Sequence, residues 1–280
     1  MRVYISSDIE GVAGVVDWGH SIPGAPEYGR ARRLMTAEVN AAAAAAFAAG
    51  AESVVVNDSH GPMNNILIEE LNERVELVTG RPKALTMVHG VGDGFDVAMF
   101  LGYHAKAGTA GGVLEHSYSG ICVFDITLNG RSYGEFGLNT MMAGYHGVPV
   151  VLASGDQKLA AEVADVNPHT ETVVVKQAVS RFAARSLTPK VAHERIADAV
   201  TRVLSQGPDV WKRALLPPLA GELTLDLTFL HTYQADAAGE VPDVERVGGR
   251  TLRVVGSDYQ DVYNLMRLLI GIAGSVTKAP

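Results

Sequence analysis

Acidic and imidazole side chains follow three strand-like apolar segments of this chain. Asp8 and Glu10 follow the first segment, His60 the second and His104 the third. Alternate residues of an extended chain point to the same face, so Asp8 and Glu10 could both face one site. Two carboxylates held so close repel each other unless a proton or a cation lies between them. A divalent metal ion would remove that repulsion, and the pattern therefore predicts a metal site.

The ligand types indicate which metal and what chemistry. Carboxylates and imidazoles without thiolates suit zinc, manganese or cobalt in a hydrolytic site better than a closed structural zinc site. With Glu135, introduced below, the candidate ligands number more than four, which favours two divalent ions; in hydrolases such ions lie roughly 3.5–4 Å apart. Each residue also has an ordinary role: Asp8 and Glu10 as a helix cap and a turn acid, His60 and His104 as a loop and a half-buried histidine. Their joint placement at three strand ends favours the metal site.

The segments that carry these residues are predicted to be strands at Val3–Ser7, Ser53–Asn57 and Val97–Gly102. A helix is predicted at Gly29–Ala49, with Gly50 as its C-terminal stop. This alternation predicts an α/β fold with three α/β/α layers around a mostly parallel sheet. The carboxyl ends of parallel strands line the ligand crevice of such a sheet, so the candidate side chains would meet there.

The rest of the chain continues the α/β pattern. Asn129-Gly130 predicts a hairpin turn after the strand Gly120–Leu128, and Glu135–Tyr145 is predicted to be a helix. Further strands are predicted at Val75–Val78, Val148–Ala153, Thr172–Val175, Glu222–Phe229 and Arg250–Val255, and further helices at Asn64–Leu71, after Thr188-Pro189 and at Asp258–Ala273. We expect a metal-binding catalytic core at residues 1–180 and a smaller, closely packed α/β C-terminal lobe at residues 181–280, which could form one domain with it.

Composition excludes some classes of function. The 280 residues are 47% hydrophobic and 19% charged, which is typical of a packed globular protein. A formal net charge of −8 argues against nucleic-acid binding. The alanine-rich tract Ala41–Ala49 is too short to span a membrane, and the N-terminus shows no signal peptide. The single cysteine, Cys122, fits a reducing compartment and is expected to be buried. We therefore expect a cytoplasmic protein.

Several motifs together carry a family resemblance. They are SSDIEGVAG, VVVNDSHGPMNN, FLGYHAKA, the EHS of residues 115–117, YGEFGLN and VKQAVSR. With these motifs the chain resembles the D-aminopeptidase family of dinuclear zinc metallopeptidases. The resemblance implies that Asp8, Glu10, His60, His104 and Glu135 bind two metal ions, one carboxylate bridging both. Taken alone, Glu135 is better explained as an acid in the first turn of a helix, where the helix dipole favours it.

The resemblance also implies an activity. It indicates removal of N-terminal residues, such as D-Ala, from short peptides by metal-activated water. His116 matches the family's catalytic histidine and would deliver a proton to the leaving amine; a nucleophilic role or an ordinary loop histidine are the alternatives. The family forms large rings, which implies a homo-oligomer.

Substrate-binding residues are not identified by the sequence. Asn139, Asp156 and Lys176 lie in or follow motif-like stretches and are interpreted as structural. The last third of the chain matches the family pattern loosely, and D-stereospecificity rests on analogy alone.

Three other functions stay open at this stage. A metal-dependent hydrolase of L-peptides or of another amide would use the same residues. A non-catalytic metal-binding protein could keep the same fold. A phosphatase of the haloacid-dehalogenase type would use the acids after the first strand with Mg²⁺, but it would leave the histidines without a role.

Overall fold

The computed structural model describes residues 1–277. Its strands are β1 Arg2–Ser7, β2 Ser53–Asp58, β3 Val75–Val78, β4 Val97–Leu101, β5 Val123–Leu128, β6 Arg131–Ser132, β7 Val150–Asp156, β8 Glu171–Ser180, β9 Ala183–Ser186, β10 Leu223–Phe229, β11 Glu245–Arg246 and β12 Thr251–Gly256. Its α-helices are α1 Trp18–Ser21, α2 Tyr28–Ala48, α3 Glu135–Tyr145, α4 Gln157–Val166, α5 Pro189–Ser205, α6 Pro208–Trp211, α7 Thr232–Ala238 and α8 Tyr259–Val276. Short 3₁₀ turns lie at Ile68–Glu70, Thr86–Val88 and Lys212–Ala214.

The larger sheet confirms the predicted parallel α/β architecture. Its strand order is β3-β2-β1-β4-β7-β8-β9. Every neighbouring pair runs parallel except β8 and β9, which form an antiparallel pair at one edge. Strands β4 and β7 are buried along their whole length, which explains the unbroken apolar sequence of β4 and of the first four residues of β7, Val150–Ala153.

Helices cover both faces of this sheet. On one face, α2 and α5 pack against each other and on the apolar side chains of β1 and β4. Helix α2 buries Ala31, Met35, Val39, Ala42 and Ala46, a spacing of three and four residues that forms one stripe. On the other face, α3 and α4 join the core that also contains the second sheet. The three-layer prediction is therefore confirmed.

The second sheet is antiparallel, with strand order β11-β12-β10-β5-β6. Its β5–β6 hairpin turns at Asn129 and Gly130, both with positive φ, as the sequence predicts. Helices α7 and α8 pack on this sheet. Strands β5 and β6, which precede residue 180, thus belong to the sheet formed mainly by C-terminal strands. Conversely, α5, which follows residue 180, packs on α2 of the N-terminal part. The division into residues 1–180 and 181–280 stays a prediction.

The predicted helix at Asn64–Leu71 is wrong, because that segment forms only the 3₁₀ turn Ile68–Glu70. Its backbone donors are taken by side chains of neighbouring elements. The Asp58 carboxylate accepts hydrogen bonds from the backbone N–H groups of Asn65 and Ile66, and the Thr36 hydroxyl accepts one from Leu67. Leu67, inside the segment, is extended (φ −83°, ψ 102°), and the N–H groups of Glu70 and Leu71 donate to carbonyls three residues back, so a 3₁₀ turn forms instead of an α-helix.

Strand β5 begins three residues later than the predicted Gly120. The backbone N–H groups of Cys122 and Val123 both donate to Ser119 O, so the chain forms a turn there before the strand begins. Cys122 lies in this turn and is buried, as expected. No helix within residues 1–277 is long and apolar enough to cross a membrane.

Candidate metal centre

Three adjacent strands of the large sheet end together at one edge. Strand β1 lies between β2 and β4, and Ser7 pairs with Asp58 on one side and Leu101 on the other. The chain leaves each strand in a buried loop, and these loops carry Asp8, Glu10, His60 and His104. The sequence argument that the side chains converge at the carboxyl ends of parallel strands agrees with this geometry.

The loop after β1 is fixed from both sides. The backbone N–H of Asp8 donates to Leu101 O over 2.8 Å, and that of Gly11 donates to Gly102 O over 2.7 Å. Gly102 has φ +67°, and a Cβ there would overlap the carbonyl oxygen of Asp8. Glycine is therefore needed at this close approach between the two backbones.

A buried lysine completes the support of this loop. The ammonium of Lys176, on β8, donates to the carbonyl oxygens of Glu10, Val12 (3.0 Å) and Val15 (2.6 Å). Burial lowers the pKa of Lys176 to about 8, against the raising effect of nearby Asp156. The structural interpretation of Lys176 agrees with these contacts.

Asp8 stands between two histidines. Its Oδ1 lies 3.2 Å from His60 Nδ1, and its Oδ2 lies 3.5 Å from His104 Nε2. Glu10 Oε2 is 3.0 Å from the same nitrogen of His60. Glu135 Oε2 is 3.4 Å from the same nitrogen of His104. The five residues therefore form two overlapping groups that share Asp8.

Glu135 is the first residue of α3, and its carboxylate is buried at 3% exposure. Its Oε1 accepts a hydrogen bond of 2.5 Å from the backbone N–H of Tyr118. That bond turns the carboxylate toward His104 and away from the solvent. An acid at a helix N-terminus needs no ligand to explain it, so sequence alone could not distinguish this residue from an ordinary helix-start acid.

His116 lies against the same cluster. Its ring stacks on that of His104 with centroids 4.1 Å apart, and its Nε2 is 3.8 Å from Glu135 Oε1. Trp18 packs edge-on against it at 5.5 Å. His116 lies at the edge of the predicted ligand set and lines the adjoining cavity.

Each of the three imidazoles is held by a backbone carbonyl. His60 Nε2 lies 2.8 Å from Ser21 O, His104 Nδ1 lies 3.0 Å from Ala105 O, and His116 Nδ1 lies 2.9 Å from Leu114 O. A carbonyl oxygen only accepts, so these ring nitrogens carry the hydrogens. The opposite nitrogen of each neutral ring then presents a lone pair to the carboxylates. Metal-binding histidines are oriented in this way.

The protein groups by themselves displace the pKa values in this cluster. Burial and the neighbouring Glu10 raise the pKa of Asp8 to about 7. Burial alone would lower the pKa of His60 and His104, but Glu10 and Glu135 respectively outweigh it and raise both well above the usual range. Burial and the adjacent His104 lower the pKa of His116. Divalent cations would displace protons from such a cluster.

Unpartnered atoms provide the test of whether these residues fit a metal. Within residues 1–277, Glu10 Oε1 is buried with no hydrogen-bond partner, and Glu10 Oε2 and His104 Nε2 meet only other ionisable groups of the cluster. Buried polar atoms are normally satisfied, so such orphans at one point need an explanation. Two sets of ligand atoms lie within 4.8 Å of one another, Asp8–Glu10–His104 and His104–His116–Glu135. The oxygen and nitrogen donor set fits divalent zinc, manganese or cobalt.

A cavity of about 630 Å³ opens beside these residues, a size typical of sites for small ligands. Its acidic lining side chains are Asp8, Glu10 and Glu135. Apolar walls come from Trp18, Ile22, Met63, Ile121 and Ile270, among others. Three arginines, Arg81, Arg181 and Arg267, also line it.

The two other residues of the motif-like stretches also have structural contacts. Asp156 caps α4 by accepting hydrogen bonds from the backbone of Lys158 and Leu159. Asn139 Oδ1 accepts hydrogen bonds from the hydroxyls of Tyr118 and Tyr263.

Comparison with known proteins gives three matches. Residues 1–268 match the model of peptidase family M55, described as D-aminopeptidase. A D-aminopeptidase of Bacillus subtilis (strain 168) is 37% identical over 277 residues, which are 98% of this chain and 98% of that protein. Among solved structures, the Zn-dependent D-aminopeptidase DppA from Bacillus subtilis, a self-compartmentalizing protease, matches with a TM-score of 0.93 and 34% identity over 100% of both chains.

Proposed function

The chain belongs to the D-aminopeptidase family, and from that membership we propose that it is a zinc-dependent aminopeptidase acting on short peptides that begin with a D-amino acid such as D-Ala. The family resemblance drawn from the motifs is confirmed, and with it the prediction of a metallo-aminopeptidase. The native peptide and the D preference of this chain belong to the proposal.

One observation carries the proposal most directly. Three carboxylates and three imidazoles converge in a buried cluster, and backbone carbonyls hold the imidazoles so that their free nitrogens face the carboxylates. Buried polar atoms are normally hydrogen-bonded, whereas Glu10 Oε1 in this cluster has no partner within residues 1–277. Cation binding gives this atom a partner.

Glu10 and His60 would hold one ion and His104 and Glu135 the other, with Asp8 between them, because its two oxygens face different histidines. Two divalent ions held there would supply polarisation of the scissile carbonyl and a lowered pKa of water. The position of Asp8 between the two histidines supports a dinuclear site.

His116 is the residue placed to move a proton. Its Nδ1–H donates to Leu114 O, which fixes the ring, and its Nε2 faces the cavity edge beside Glu135. Nε2 can take a proton from water and deliver it to the nitrogen of the leaving amine, which leaves poorly as an anion. Its distance of 3.8 Å from Glu135 also allows a ligand role, and metal analysis separates the two.

The proposal extends to assembly and location. Its DppA relative is a self-compartmentalizing protease, and we propose that this chain likewise forms a homo-oligomer, as a ring that encloses the sites. A cytoplasmic location stays a prediction, resting on the sequence argument above.

The test is a paired assay with the full chain. Release of D-Ala from a D-Ala-initiated dipeptide and of L-Ala from its L counterpart would be measured before chelation, after chelation and after zinc is restored. We expect zinc-dependent cleavage of the D-peptide. Cleavage of the L-peptide alone would refute the specificity and keep the metal chemistry, and cleavage of neither by protein with two bound ions would refute the peptidase proposal.

A further inference from the structure

The three arginines that line the cavity differ in what neutralises them. Arg181 Nε lies 3.4 Å from Glu115 Oε1, so its charge has a partner. Within residues 1–277, neither Arg81 nor Arg267 has a carboxylate within ion-pair distance. The acidic side chains of the cavity all belong to the proposed metal set. The cavity therefore holds two cationic groups that have no carboxylate partner in the described part of the chain.

Arg267 is held in place by groups that leave part of its guanidinium free. Its Nη1 donates to Ala84 O and to Asn264 Oδ1, and its Nη2 donates to Lys83 O over 3.3 Å. Of the five N–H hydrogens, this leaves the one on Nε and one on Nη2. Nε is buried and has no hydrogen-bond partner among residues 1–277. These two hydrogens lie on one edge of the guanidinium, the edge that matches a carboxylate with two parallel bonds.

Arg81 belongs to the same wall of the cavity. The carbonyls that hold Arg267 belong to Lys83 and Ala84, two and three residues after Arg81. Arg81 itself is exposed, and within residues 1–277 its side chain makes no hydrogen bond. A fixed guanidinium and a free one are thus carried by neighbouring segments, which suits a rigid anchor and a second, adjustable contact.

The wall also connects to the metal centre. Arg267 lies over the ring of Tyr263 at 5.9 Å, and Tyr263 packs edge-on against Tyr118 at 6.2 Å. The backbone N–H of Tyr118 donates to Glu135. Both arginines line the same cavity as the carboxylates of the proposed ligand set.

Resting on the proposed function, we propose that Arg267, assisted by Arg81, binds the C-terminal carboxylate of the peptide whose N-terminal bond lies at the metal centre. Such a contact makes the enzyme specific for short peptides, because only in a short peptide do the scissile bond and the free C-terminal carboxylate fit into the same cavity. Guanidinium–carboxylate pairing of this kind is strong when partly desolvated. It explains why the cavity carries two cations without partners.

The test compares two substrates that differ only in that carboxylate, D-Ala-D-Ala and its C-terminal amide, with zinc-loaded protein. We expect kcat/KM of the wild type to be about tenfold or more higher for the free-acid peptide than for the amide. This factor corresponds to the free energy of a charge-assisted hydrogen bond. In Arg267→Gln the ratio should fall to near one through loss on the acid alone, mostly as a higher KM. Arg81→Gln should lower the ratio less, and Arg267→Lys should retain part of the preference.

Arg33→Gln is the matched control, since Arg33 is exposed on α2 outside the cavity lining, and it should keep the wild-type ratio. An equal loss on both substrates in Arg267→Gln would make the residue structural and overturn the proposal, as would a wild-type ratio near one. Hydrolysis of neither peptide by wild type would instead refute the proposed function. Calorimetric binding of the same two peptides then decides the arginine assignment independently, equal affinity overturning it.

Discussion

Replacing Lys176 by methionine removes the buried ammonium that holds the loop of Asp8 and Glu10. Lys176 is 1% exposed and donates to the carbonyls of Glu10, Val12 and Val15. Methionine fills a similar volume but leaves three carbonyls without their donor. Each charge-assisted hydrogen bond contributes about 1.5–3 kcal/mol, and relief from burying the ammonium offsets part of that loss. We expect a net loss of about 3–5 kcal/mol, as when one partner of a buried pair is removed.

Two readouts follow from this magnitude. At about 2–4 °C per kcal/mol for large domains, Tm should fall by on the order of 10 °C in calorimetry at fixed zinc concentration. Because Glu10 is carried by the released loop, activity should fall on the order of 10²-fold even at temperatures where the variant is folded. Zinc content per subunit should also drop, since the loop presents two of the proposed ligands.

The control is Lys190→Met, at a lysine whose side chain is 86% exposed on α5. That change should alter stability by no more than about 0.5 kcal/mol. A Lys176→Met protein that melts within about 2 °C of wild type and keeps its activity would refute the idea that this ammonium supports the metal-binding loop.

Other variants test the remaining assignments. His60→Ala or His104→Ala should abolish hydrolysis and lower bound zinc measured by atomic emission; full activity in both would remove the metal-site assignment. His116→Ala should keep its zinc and lose about 10²–10⁴-fold in kcat, whereas simultaneous loss of zinc would make it a ligand. Burial raises the pKa of Glu38 from 4.5 to about 7, so the folded protein binds this proton more tightly than the unfolded chain does. The free energy of unfolding of the wild type therefore falls by up to about 3 kcal/mol as pH rises from 4.5 to about 7. Glu38→Gln should therefore gain Tm over wild type at pH 8 but not at pH 4.5, and a gain independent of pH, or one matched by the exposed-site variant Glu76→Gln, would contradict this.

Much of the architecture was predictable because it depends on local patterns. Apolar runs gave strands β1, β2 and β4 with their ends close to the observed bounds, and the helix at Glu135–Tyr145 has the predicted limits. The convergence of Asp8, Glu10, His60 and His104 follows from a general property of parallel sheets, whose strands end at one edge. The helix prediction for Asn64–Leu71 failed because Leu67 is extended in the fold, where hydrogen bonds to Asp58 and Thr36 anchor the backbone of residues 65–67.

The sequence by itself determined the candidate ligand types, the order in which strands deliver them, and the family. Only the tertiary structure decided which nitrogen of each histidine faces the cluster, since backbone carbonyls of Ser21, Ala105 and Leu114 select it. It also decided that Arg181 is paired while Arg267 is not. Both depend on contacts between segments far apart in the chain, and such contacts leave no local pattern for a sequence argument to use.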